Sequence, residues 1–107
     1  MKDNEDYVIV NTTLPDEATA QKLAACIVEN RLAACAQFFP IHSVYRWKGK
    51  IESAPEMLLL AKTRAALAAR LVEFIRARHP YEVPEILVTP IIDGHAPYLD
   101  WLAAETT

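Results

Sequence analysis

The alternation of apolar and polar positions changes period several times along the chain, and each change predicts an element. Residues 7–13 read Tyr-Val-Ile-Val-Asn-Thr-Thr, apolar and β-branched, which predicts a central strand. The period then lengthens. Ala20, Leu23, Ala24 and Ile27 recur at helical spacing and mark one apolar face. Thr13-Leu-Pro-Asp16 has capping-box spacing, with Asp in the place of Glu or Gln, so a helix is predicted to start at Thr13. Pro15 suits its first turn, and Asp16 and Glu17 put negative charge at the positive end of the helix dipole. The helix is predicted to stop near Asn30.

Two long extended stretches follow, 33–47 and 50–63, joined at Lys48-Gly49, where glycine supplies the positive φ of a tight hairpin. At ~3.3 Å per residue the first stretch would run ~50 Å if straight, too long for one compact body. Counting back from the turn sets Trp47 opposite Lys50, Pro40 near Met57 and Pro55 near His42. Both prolines are expected to interrupt the ladder at one level. The hairpin is thus divided into a body part, 33–39 with 57–63, and a distal arm, 41–54. The arm carries Ile41, Val44, Tyr45, Trp47 and Ile51, an apolar set that one small subunit has no means to bury.

Thr63 is placed to cap a second helix over 64–78, with Leu67, Leu71, Phe74 and Ile75 on its core face. His79-Pro80 ends it, because the residue before proline leaves the helical region. Residues 84–91, bracketed by Pro84 and Pro90, predict a last strand at a sheet edge. Residues 97–104 predict a short amphipathic helix carrying Tyr98, Trp101 and Leu102. The order βαββαβ plus a terminal helix predicts an α+β, ferredoxin-like fold with an antiparallel sheet. Residues 7–107 are expected to form its single domain, and residues 1–6 to be a flexible tail.

Composition narrows the function. The 107 residues are 52% apolar, with 11 Lys and Arg against 14 Asp and Glu, a net charge of −3. That excludes disorder and disfavours a nucleic-acid platform. The apolar runs fall well short of the ~20 residues a membrane span needs. Residues 1–6 are charged with no apolar segment, so a cytoplasmic protein without a signal peptide is expected. Cys26 and Cys35 each end the phrase Leu-Ala-Ala-Cys; nine-residue spacing fits neither a redox pair nor a zinc knuckle, so both are expected as buried free thiols. Two glycines, Gly49 and Gly94, leave no phosphate-cradling loop, and neither Ser43 nor Ser53 has a nucleophile-elbow context. An acylphosphatase-like loop after the first strand is likewise missing.

The densest polar cluster is His79-Pro-Tyr-Glu-Val-Pro-Glu85. On local grounds His79 reads as a capping imidazole followed by a stiff, proline-bounded loop. A functional role needs other groups to converge on it, and Lys62, Tyr81 and Glu85 are the ones placed to do so. His42 and His95 lack any His-x-His or His-x-x-x-His spacing.

Six motifs in order carry a family resemblance: Pro-Asp-Glu-Ala-Thr-Ala at 15–20, Arg-Leu-Ala-Ala-Cys at 31–35, Tyr-Arg-Trp-Lys-Gly-Lys-Ile at 45–51, Lys62-Thr63, the 79–85 cluster, and Tyr98-Leu-Asp-Trp101-Leu. Together they resemble the CutA family of divalent-cation tolerance proteins. The resemblance implies a ferredoxin-like subunit and a non-enzymatic homotrimer located in the cytoplasm. It implies a link to copper and other divalent cations, and clefts between subunits like those of PII signalling proteins. The apolar arm, which one subunit cannot bury, leads to the expectation of Tyr45 and Trp47 at the trimer interface. The copper site described for the family has a cysteine ending the first strand and two adjacent histidines ending the second helix. Here those places hold Thr12 and Arg78-His79, so His79 alone carries over as the metal residue. No cofactor is required; copper(II) or another divalent cation is expected to bind weakly, with Arg78 opposing its approach. The alternative is a PII-like regulatory module that takes a small anion or metabolite in the cleft between subunits.

Overall fold

A computed structural model describes residues 6–107. β1 (Tyr7–Leu14) is followed by α1 (Glu17–Glu29), β2 (Cys35–Trp47), β3 (Lys50–Arg64), a 3-10 turn (Ala65–Leu67), α2 (Ala68–Arg78), β4 (Ile86–Ile91) and α3 (Ala96–Glu105). The sheet has the order β2-β3-β1-β4, and every neighbouring pair is antiparallel. This is the ferredoxin-like α+β arrangement, with β1 central and β4 at an edge.

Alternation along β1 divides the core into two layers. Val8, Val10 and Leu14 face one way and pack with Ile27 of α1 and Leu71 and Ile75 of α2. Tyr7 faces the other way and meets Leu99 and Leu102 of α3. α3 thus closes one end of the sheet's second face, and Tyr98 and Trp101 remain exposed on it, outside the buried Leu99–Leu102 contact. No helix among the described residues is long and apolar enough to cross a membrane.

Both expected helix starts are displaced toward the C-terminus. Thr13 stays in β1, paired with Leu58, and Asp16 caps α1, its Oδ1 accepting the Thr19 N–H at 2.8 Å. Thr63 is fully buried in β3 and caps nothing. β1 pairs with β3 as far as Tyr7–Arg64, and the Ala65 N–H donates to the Asp6 carbonyl at 2.8 Å, so the ladder holds the backbone extended past the expected cap. Asp6 is therefore fastened to the domain, while residues 1–5 of the expected tail lie outside the described residues. β4 begins at Ile86 rather than Pro84, because its pairing with β1 ends at Thr12–Ile86.

The hairpin register is the expected one, with Trp47 opposite Lys50, Pro40 opposite Met57 and His42 opposite Pro55. Lys48 (φ 50°) joins Gly49 (φ 79°) in the left-handed region, as a two-residue primed turn requires. The prolines do not interrupt the strands. Pro40 lies on edge strand β2, and Pro55 lies beyond Met57, the last β3 residue paired with β1. In neither place is a second ladder asking for the missing N–H. The hairpin therefore runs on as a continuous arm, and the molecule measures 45 × 25 × 21 Å. Cys26 and Cys35 are free thiols but only half-buried, not enclosed.

Candidate functional site

The segment 79–85 leaves the end of α2 and lies across from the distal arm. Between them is a cleft of about 780 Å³. His79 turns the chain out of α2 with extended backbone (φ −78°, ψ 137°), as its position before Pro80 demands. Its ring then ties the segment to the end of β1. His79 Nδ1 accepts the Tyr81 N–H at 3.1 Å, which puts the ring proton on Nε2. Nε2 donates to the Thr13 carbonyl at 2.8 Å, with Thr12 Oγ1 at 3.1 Å. Burial holds the His79 pKa below its ordinary value, against the opposing bond to Thr13 and the charge of Glu56.

Tyr81 continues the chain of contacts. Its ring centre lies 4.9 Å from that of His79, and its Oη donates to Glu56 Oε2 at 2.7 Å. Burial and that bond raise the phenol well above its ordinary pKa, so Tyr81 stays a donor. Glu56 faces Ile41 across the hairpin and is only 8% exposed. Glu85 also lines the cleft; its Oε2 accepts from Asn11 Nδ2 at 2.8 Å. Tyr45 and Trp47 supply aromatic wall from the arm.

Of the residues singled out in the sequence, the cleft gathers Tyr81, Glu85, Tyr45 and Trp47 along its wall, with His79 behind them. Lys62 is not with them. It lies six positions past Glu56 on β3, about 20 Å along the strand, and its Nζ stands 5.8 Å from the Tyr98 ring centre. Arg78 is also turned away: its guanidinium lies 3.6 Å from the Phe74 ring centre and bonds the Phe74 carbonyl. Arg78 is not among the residues that line the cleft. His79 as a metal ligand meets a direct obstacle, since one ring nitrogen accepts from Tyr81 and the other donates to Thr13. Among the described residues no three His, Cys, Asp or Glu side chains converge as a ligand set.

Glu56, Thr13 and Asn11 are site residues that motif reading misses, whereas the family motif marks Thr12. A signal for Glu56 does exist: it is the lone carboxylate heading the apolar run 57–61, directly after Pro55.

The family model for the CutA1 divalent ion tolerance protein matches residues 8–105. The divalent-cation tolerance protein CutA of Thermus thermophilus is 44% identical over 103 residues, 95% of this chain and 98% of that protein. Protein CutA of Mus musculus is 47% identical over 91 residues, 84% of this chain. The chain spans about half the length of the mammalian relatives, 51% of the mouse protein and 53% of the human one. A solved CutA1 structure from Pyrococcus horikoshii superposes with a TM-score of 0.91 at 41% identity, covering 94% of this chain and 98% of that one. Since the family match runs from the first strand to the last helix, and the solved relative repeats the same fold, this chain belongs to the CutA1 divalent ion tolerance family.

Proposed function

We propose that the protein is a non-enzymatic, cytoplasmic homotrimer that collects divalent cations, copper(II) among them, weakly at the cleft. One observation carries the metal reading: Glu56, Glu82 and Glu85 line the cleft, and among the described residues no Lys, Arg or His lines it. A concave site of one sign concentrates counter-ions. The binding is weak because the described residues hold no convergent ligand set and no cysteine lines the cleft, so water completes the coordination. On this reading His79 holds Tyr81 and the 79–85 segment in shape and is not itself a ligand. A small anion finds no positive partner among the lining residues, which disfavours the PII-like alternative.

The trimer reading is supported by the arm, whose Val44 and Ile51 are 68% and 60% exposed in the subunit. Isothermal titration with copper(II) in a non-chelating buffer tests the metal reading. Affinity weaker than micromolar that falls further in Glu56→Gln is expected, and tight binding that survives Glu56→Gln overturns it. Sedimentation equilibrium tests the assembly: about three times 12.0 kDa is expected, and a lone 12.0 kDa species defeats it.

A further inference from the structure

We propose that the cleft binds a small organic ammonium cation, held against its aromatic wall with Glu56 as the counter-charge. This rests on reading the cleft as a cation site and deepens it by naming a class of cation other than the bare metal ion.

Glu56 is the first ground. It lines the cleft and is 8% exposed. Its hydrogen bond comes from the neutral Tyr81 hydroxyl, and no Lys or Arg among the described residues is ion-paired with it. A carboxylate drawn this far out of water is costly unless a cation accompanies it. The subunit provides the charge and withholds the partner.

The second ground is the composition of the wall. Tyr45, Trp47 and Tyr81 border the same space. Aromatic rings offer no inner ligand to a hard metal ion, but their faces attract diffuse, weakly hydrated cations. Lys48 Nζ already stands 5.7 Å from the Trp47 ring centre, so the indole has a cation of the chain's own beside it. Among the described residues no cation stacks on Tyr45 or Tyr81.

Size and ligand geometry supply the third ground. A space of about 780 Å³ falls within the range of small-molecule sites and far exceeds one ion. A bare divalent ion needs several donors converging at about 2.0–2.6 Å, and the described residues contain no such group of three. An organic ammonium ion needs one near carboxylate, a field of the right sign from Glu82 and Glu85, and apolar faces for its carbon atoms. Those are the features present.

The test uses the full chain with Trp101→Phe, which leaves Trp47 as the fluorescent reporter of the cleft. Choline is titrated against its uncharged isostere, in which carbon replaces the quaternary nitrogen. Saturable choline binding is expected, with the isostere about tenfold weaker or worse. Glu56→Gln is expected to weaken choline about tenfold. Tyr45→Leu is expected to weaken it severalfold, in a variant whose sedimentation shows the same assembly as the parent, since Tyr45 lies on the arm. Equal binding of choline and isostere overturns the proposal, as does choline binding indifferent to both substitutions. Copper(II) binding that depends on Glu56, with no choline binding, overturns the organic class and leaves the cation site standing. Choline binding without copper(II) binding upholds the proposal and removes the metal reading.

Discussion

The two halves of the β2–β3 hairpin share one register and differ in everything else. In the body half, Leu59, Ala61 and Thr63 of β3 are fully buried. In the arm, Val44 and Ile51 stand open to solvent. The body half is the more apolar, 11 residues of 14 against 6 of 14 in the arm, but composition does not explain why the arm's own Val44 and Ile51 stay open. The neighbour does: β1 pairs with β3 from Met57 to Arg64 and then ends, and the helices cover that same length. Alternation decides which way a side chain points; only a neighbouring layer decides whether it is buried. The arm is therefore a strand pair with unfinished business, and the cleft opens at the level where β1 stops.

Substitutions in the two halves separate these roles. Leu71→Ala removes a fully buried side chain over the body half and is expected to destabilise by about 2–5 kcal/mol, read from urea unfolding. A loss under about 1 kcal/mol would mean that α2 does not close the core as described. Tyr81→Phe deletes the bond to Glu56 at the junction of body and arm. About 1.5 kcal/mol is expected, because the acceptor is a carboxylate. Glu56→Gln in the same background should recover part of that loss, since it removes the stranded charge.

The junction also gives the comparison a pH dependence. Burial keeps the folded His79 below its ordinary pKa of 6.5, so the unfolded chain takes up the proton first. The contribution is complete above pH 6.5 and is lost as pH falls through the lower folded value. Unfolding midpoints measured downward from neutral pH should drop, and His79→Gln should flatten that drop. An unchanged acid limb in His79→Gln would show that the ring is not held neutral. The smallest effect belongs to the arm. Ile51→Ser is expected to change the stability of the dissociated subunit by no more than about 0.5 kcal/mol, because the side chain is already exposed. On the trimer reading, the same substitution weakens assembly, measured by sedimentation at falling concentration.

Where the sequence reading fell short, long-range pairing was the reason. Thr13 and Thr63 both have cap-like surroundings, yet each stays in a strand because β1 and β3 pair along their full shared length. The prolines at 40 and 55 read as breaks until it is seen that neither faces a second ladder. Arg78 and Lys62 are near the site in the motif order but are drawn off by the Phe74 and Tyr98 rings.

By itself the sequence determined the element order, the antiparallel α+β fold, the hairpin register and the family. Each of these depends on local periodicity, turn chemistry or contiguous motifs. Tertiary structure alone decided which carboxylate faces the cleft, how His79 is protonated and which of the expected cleft residues meet. Those outcomes depend on groups far apart in the chain: Glu56 lies 25 positions from Tyr81, and His79 lies 66 from Thr13. The energy of such contacts exists only once β1, β3 and the end of α2 have been brought together.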